Sequence, residues 1–127
     1  MVPAPRPVTR ADYAGEVILA IDTSIGTAVA VVEPDGVVRA ATASLETLRH
    51  AERIGDLLVE ALAEAFITPA EITYVAAGMG PGPFTGLRIG IAAARAFALG
   101  RGIPVVPVVS HDAIALEVRG YLIWERT

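Results

Sequence analysis

Between Gly78 and Gly90 the chain reads GMGPGPFTGLRIG, and four glycines fall within the nine residues from Gly78 to Gly86. Glycine reaches positive φ without steric cost and lets neighbouring backbone come close, so this stretch is a shaped loop rather than an ordinary turn. Upstream, Tyr74 to Ala77 is a short continuous apolar run that reads as a buried strand; downstream, the alanine-rich run Ile91 to Leu99 reads as a helix. Thr85 is placed to cap that helix, whose first N–H groups would then be free for an anion near Gly80 and Gly82. Two readings of the loop stand at this point: an anion cradle, and a strand-to-helix turn that binds nothing.

The rest of the chain supplies a frame for that unit. Val17 to Ile21 is an apolar run ending in Asp22-Thr23-Ser24; Thr27 to Glu33 is a second β-rich run; Pro34-Asp35-Gly36 is a turn; and Val37 to Ala43 returns as a third strand. From His50 the period changes. Ile54, Leu57, Leu58, Ala61, Leu62 and Ala65 recur at three- and four-residue steps, which predicts an amphipathic helix to about Phe66. Thr68-Pro69-Ala70-Glu71 carries a capping-box signature for one short turn. Ile72 to Ala77 is the fourth strand, Gly100-Arg101-Gly102 ends the second long helix, Val105 to Val109 is the fifth strand, and Ser110 opens a last helix to about Val118. The order β-β-β-α-β-α-β-α predicts an α/β domain: an antiparallel meander followed by right-handed crossovers, with helices on a five-stranded mixed sheet. Residues 1–16, with three prolines and no apolar period, read as a flexible leader.

Composition narrows the function classes. A chain of 127 residues with 54% hydrophobic residues can bury one ordinary core. A net charge of −4 argues against an autonomous nucleic-acid binder, and no apolar run reaches the length of a membrane span. With no cysteine, thiolate nucleophiles, disulfides and cysteine zinc sites are excluded, and a cytoplasmic location is the expectation.

The segments Ile18-Leu19-Ala20-Ile21-Asp22-Thr23-Ser24, His50-Ala51-Glu52-Arg53, Gly80 to Gly90 and Pro107-Val108-Val109-Ser110 together resemble the N-terminal domain of the TsaB (YeaZ) family. The glycine loop carries most of that resemblance, which extends over Val17 to Val118. It implies a single lobe of the ribonuclease H-like, actin-like ATPase fold and a role in forming threonylcarbamoyladenosine on tRNA. In that system a TsaD-type transferase is catalytic, the TsaB-like protein is its non-catalytic partner, a TsaE-type ATPase is accessory, and tRNA is met only through the complex. Pro83 stands where the family usually has serine, which removes one N–H from the loop. The family's second domain is expected to be absent, and residues 119–127 do not look like the family's continuation.

The resemblance also places Asp22, Thr23 and Ser24 where actin-like ATPases have their first phosphate loop. One reading is a nucleotide site with Gly80, Gly82 and Thr85, vestigial or working; the other is a turn whose polar side chains satisfy nearby backbone. The expected absence of a second lobe to clamp adenosine favours the turn. His111 has Ala115 four residues on and His50 has Ile54, so neither makes a metal-binding pair, and Ser110 beside His111 is no triad. The expectation is no catalytic residue, no metal and no cofactor.

The long helices offer a surface instead. Glu52, Asp56, Glu60 and Glu64 form an acidic ridge at four-residue steps, relieved in its first turn by Arg49 and Arg53. Arg88 and Arg95 are seven apart on the second helix, and Gly86, Gly90 and Ala94 make a smooth strip along it. By spacing alone the strip can face a partner or the chain's own sheet. In the TsaB family these two helices pair with the equivalent helices of TsaD or of a second copy, so the resemblance implies an interface there and a homodimer when the chain is alone.

Overall fold

The computed structural model describes residues 15–34, 36–45, 50–82 and 84–109. Strands β1 (Ile18–Asp22), β2 (Thr27–Val32) and β3 (Val38–Ser44) are followed by helix α1 (His50–Glu64) and a 3₁₀ turn at Pro69–Glu71. Strand β4 (Tyr74–Gly78), helix α2 (Phe84–Arg101) and strand β5 (Val105–Val108) complete the order. The sheet runs β3-β2-β1-β4-β5, antiparallel within the meander and parallel where β4 joins β1 and β5. This is the mixed five-stranded α/β sheet the sequence predicts, with each strand within two residues of its expected bounds. The helix expected from Ser110, residues 1–14 of the leader, the tail, Asp35, Pro83, Arg49 and His111 lie outside the described residues.

Alternation along the strands decides which face the helices take. Leu19, Ile21, Val29, Val31, Val75 and Ala77 are buried on one face beneath Leu57, Ala61 and Leu62 of α1 and Ala94 and Ala98 of α2. Each fully buried leucine or isoleucine contributes about 1.5–3 kcal/mol from area alone. The buried Thr42 hydroxyl on β3 donates to the Leu57 carbonyl at 2.9 Å, so its polar group is satisfied while it ties α1 to the sheet. Around the 3₁₀ turn the reach-back half of the expected capping box is present, the Glu71 carboxylate accepting from the Thr68 N–H at 2.6 Å. Arg101 at the end of α2 donates to the Pro69 and Ala70 carbonyls at 2.9 and 2.7 Å, joining that turn to the helix terminus.

Both helices end in the same hydrogen-bond motif with different residues at its left-handed position. After α2, Gly102 (φ +68°) donates to Leu99 and Ile103 donates back to Ala98. After α1, Phe66 (φ +56°) donates to Ala63 and Ile67 to Leu62, while Leu62 and Ile67 share the core. A β-carbon in that conformation costs about 1–2 kcal/mol, and the Phe66 side chain, 92% exposed, recovers none of it by burial. Phe66→Gly is therefore expected to stabilise the chain by about 0.5–1 kcal/mol after the added freedom of the unfolded state is subtracted. Denaturant unfolding of the two proteins measures it, and a loss of stability would mean that Phe66 makes a contact its exposure does not reveal.

Candidate functional site

The ends of β1 and β4 bring the two predicted loops together. Asp22 closes β1, and its Oδ1 accepts from the Ser24 N–H at 2.8 Å and from the Ser24 hydroxyl at 2.5 Å. That local turn satisfies one carboxylate oxygen within the loop itself. Its other oxygen lies against Gly78, where any β-carbon would overlap it. A β-carbon at Gly82 would come within 2.7 Å of the Ser24 carbonyl. Gly80 sits at φ +93°, and its peptide bond to Pro81 is cis. The glycines at 78 and 82 thus let the loop after β4 press on the loop after β1, so their missing side chains are accounted for by contacts within the chain. Asp22, Ser24, Gly78 and Gly82 meet as a closed turn against turn, while Gly80 lies against Leu87 of α2.

Thr23 and Thr85 depart from expectation. Thr23 is buried and points down onto α2, its hydroxyl donating to the Gly86 carbonyl at 2.6 Å. It is therefore turned away from the loop mouth where a phosphate-binding hydroxyl would be needed. Thr85 does not cap α2, because the helix already begins at Phe84 and Thr85 lies exposed in its first turn. Among the described residues no group of three or more His, Cys, Asp and Glu side chains gathers as a metal site.

The small-residue strip is corrected by the structure. Gly86, Gly90 and Ala94 are buried, and a β-carbon at Gly90 would overlap the Thr23 side chain. The strip lets α2 lie close on its own sheet and is not an open track for a partner helix. The spacing makes a strip along α2, and the direction in which it faces depends on Thr23, more than sixty residues away in sequence.

The charged residues remain outside. Glu52, Asp56, Glu60 and Glu64 are all exposed along α1, with Arg53 Nη1 3.9 Å from Asp56 Oδ2. Arg88 and Arg95 are exposed along α2, which packs beside α1. Val59 on α1 and Leu99 on α2 are 67% and 86% exposed, two large apolar side chains that the sequence reading did not single out. Their positions between charged neighbours could have marked them, since each interrupts an otherwise polar or small outward face. The outward face of the helix pair thus carries acids on one helix, arginines on the other and an apolar side chain on each.

Comparison with known proteins converges on one family. The family model described as tRNA N6-adenosine threonylcarbamoyltransferase (TsaD) matches residues 36–123. An uncharacterized protein of Mycobacterium tuberculosis is 44% identical over 105 residues, covering 81% of this chain and 50% of the relative. A tRNA N6-adenosine threonylcarbamoyltransferase of Streptococcus pneumoniae is 49% identical over 59 residues, covering 46% of this chain and 18% of that enzyme. The solved structure of YeaZ from Pseudomonas aeruginosa superposes with a TM-score of 0.68 at 30% identity, over 74% of this chain and 44% of that one. The chain spans about half the length of the mycobacterial relative.

Proposed function

This chain belongs to the tRNA N6-adenosine threonylcarbamoyltransferase (TsaD) family and is built like its YeaZ (TsaB) members, and from that premise we propose that it is a non-catalytic docking subunit of the tRNA threonylcarbamoylation machinery. It pairs with a TsaD-type transferase through the outward face of α1 and α2; a TsaE-type ATPase and tRNA join through the complex. The observation that carries this reading is the division of charge on that face. Glu52, Asp56 and Glu60 on one helix and Arg88 and Arg95 on the other suit a partner built on the same plan, because a two-fold axis running along the helices would set each acidic helix against a basic one. Val59 and Leu99 give such an interface apolar contact between the charges. Alone, the same self-complementarity brings two copies together.

Light scattering on the chain, alone and mixed with the TsaD-type protein of the same source, tests this. A mixed species with one copy of each is expected. A homodimer that ignores the transferase would leave the fold assignment standing and remove the partner role.

A nucleotide-binding half-domain is the second reading, favoured by a strand-end carboxylate, Asp22, beside the glycine loop. The closed contact between the two loops and the inward Thr23 hydroxyl weigh against it. Calorimetric titration with magnesium ATP is expected to give no saturable heat, and saturable binding lost in Asp22→Asn would move the assignment to a nucleotide site.

A further inference from the structure

Phe66 and Gly102 hold the equivalent left-handed positions after α1 and α2, and only one of the two is glycine. Closure of the motif by Leu62 and Ile67 accounts for the conformation after α1. It does not account for phenylalanine, since Gly102 closes the other motif without strain. Nor does burial, since the ring is almost wholly in water. A large aromatic side chain, strained in its backbone and unburied in its own chain, is suited to contact with another molecule.

The surroundings say which molecule. Strands β3, β4 and β5 run in one direction, so α1 and α2, which connect them, are parallel and end together. Arg101 fixes that shared end through its bonds to the Pro69 and Ala70 carbonyls. There α2 offers the exposed Leu99, with Gly100 and Gly102 beyond it, where an added β-carbon would meet nothing within 4 Å. Exposed residues recur at four- and three-residue steps on both helices: Glu52, Asp56, Val59 and Ala63 on α1, and Arg88, Ala92, Arg95 and Leu99 on α2. Phe66 lies as far along the chain from Glu52 as Gly102 lies from Arg88.

We propose that Phe66 of each copy seats on the Leu99 to Gly102 end of α2 in a second copy, as the aromatic anchor of a two-fold dimer. A two-fold axis along the helices keeps every residue at its own height, so the chain itself sets the register. The height that brings Glu52 toward Arg88 of the second copy brings Ala63 beside Leu99 and Phe66 beside Gly102. Opposite charges meet at one end of the face, and a large side chain meets a small one twice at the other. Between them Val59 meets the aliphatic stem of Arg95. The inference rests on the outward face of α1 and α2 being the docking surface. It adds an anchor to that face and a reason for the strain: Phe66 lowers the stability of the single chain and is retained for association.

Sedimentation velocity of the full chain, with denaturant unfolding measured at dilutions where it is monomeric, tests this. Phe66→Gly is expected to weaken self-association by about tenfold or more while raising the unfolding midpoint. Phe66→Leu is expected to keep most of the association. Gly100→Asp, whose side chain has open space in its own chain, is expected to weaken association as Phe66→Gly does. Arg88→Glu combined with Arg95→Glu is the control for the face. If that pair dissociates the dimer and Phe66→Gly does not, the face stands and the anchor falls. If neither dissociates it, the copies meet elsewhere and the anchor falls with the face. A parent that is monomeric at every concentration removes the second copy as occupant. Loss of TsaD-type transferase binding in Phe66→Gly, with self-association unchanged, would give the ring to that partner and overturn the proposal.

Discussion

Gly90→Ala is expected to destabilise the folded chain by about 2 kcal/mol, although the same change at an open helix position gains about 1 kcal/mol. The reason is local and specific. The new methyl would overlap the Thr23 side chain, which is buried and fixed by its 2.6 Å hydrogen bond to the Gly86 carbonyl one turn earlier in α2. Neither side can yield cheaply: Thr23 directly follows β1 and is itself buried, and moving α2 outward would loosen Ala94 and Ala98 from the core. Thr23→Ala removes the hydroxyl and the methyl that the new side chain meets, leaving only a tight 3.0 Å approach between β-carbons. On its own Thr23→Ala costs about 1–2 kcal/mol for the lost buried hydrogen bond and packing. In that background Gly90→Ala is expected to be neutral or stabilising, a coupling of about 2 kcal/mol in a double-mutant cycle measured by denaturant unfolding. An unchanged penalty in both backgrounds would place the clash elsewhere, and a stabilising Gly90→Ala in the parent would show that α2 can sit further from the sheet than it does.

The second large effect concerns association rather than folding. Arg88→Glu combined with Arg95→Glu is expected to weaken binding to the TsaD-type partner about tenfold to a hundredfold, while unfolding stability stays within about 0.5 kcal/mol. Both arginines are exposed, so their removal opens no cavity. Reversal sets like charges against whatever acids face them, a larger perturbation than deleting a solvated ion pair. Added salt should narrow the gap between variant and parent, since exposed charges are screened within about 8–10 Å at ordinary ionic strength. Unchanged affinity would move the interface off this face; a variant that no longer folds would show that the arginines hold the chain together.

Much of the architecture could be read from the sequence because it depends on near neighbours. Alternation in Thr27–Val32, the 3.6-residue period after His50 and the glycine after Arg101 each act within a few residues, and β2, α1 and the end of α2 follow them. Three features could not be read that way. Phe66 takes a conformation that glycine favours because Leu62 and Ile67 close the motif through the core, which overrides the local preference. Gly86 and Gly90 turn inward because Thr23 waits there, a contact that spacing along α2 cannot reveal. The glycine loop announced unusual backbone, yet the partner for that backbone was the turn after β1, and a loop shaped to fit another loop has the same composition as one shaped to fit an anion. One signal went unused: around Ala20 in β1 and through Ala28 and Ala30 in β2 large apolar residues alternate with alanine, which marks the face of the large residues as the helix-covered one.

The pairing of β1 with β4 has a kinetic consequence. Val17 and Thr73 exchange hydrogen bonds across 56 positions of sequence, the Val17 N–H donating to the Thr73 hydroxyl at 2.9 Å. Every other strand pairing joins sequence neighbours or strands separated by a single helix. The meander β1 to β3 and the unit β4-α2-β5 can each form from nearby parts, whereas bringing them together closes a loop at about 3.5 kcal/mol of entropy before β1 and β4 contribute anything. Closing that seam is expected to be the step that limits how fast the domain forms. In a chain made from its N-terminus, β1 therefore stays an edge strand beside β2 until the residues of β4 that pair with it, Tyr74 to Ala77, have been made.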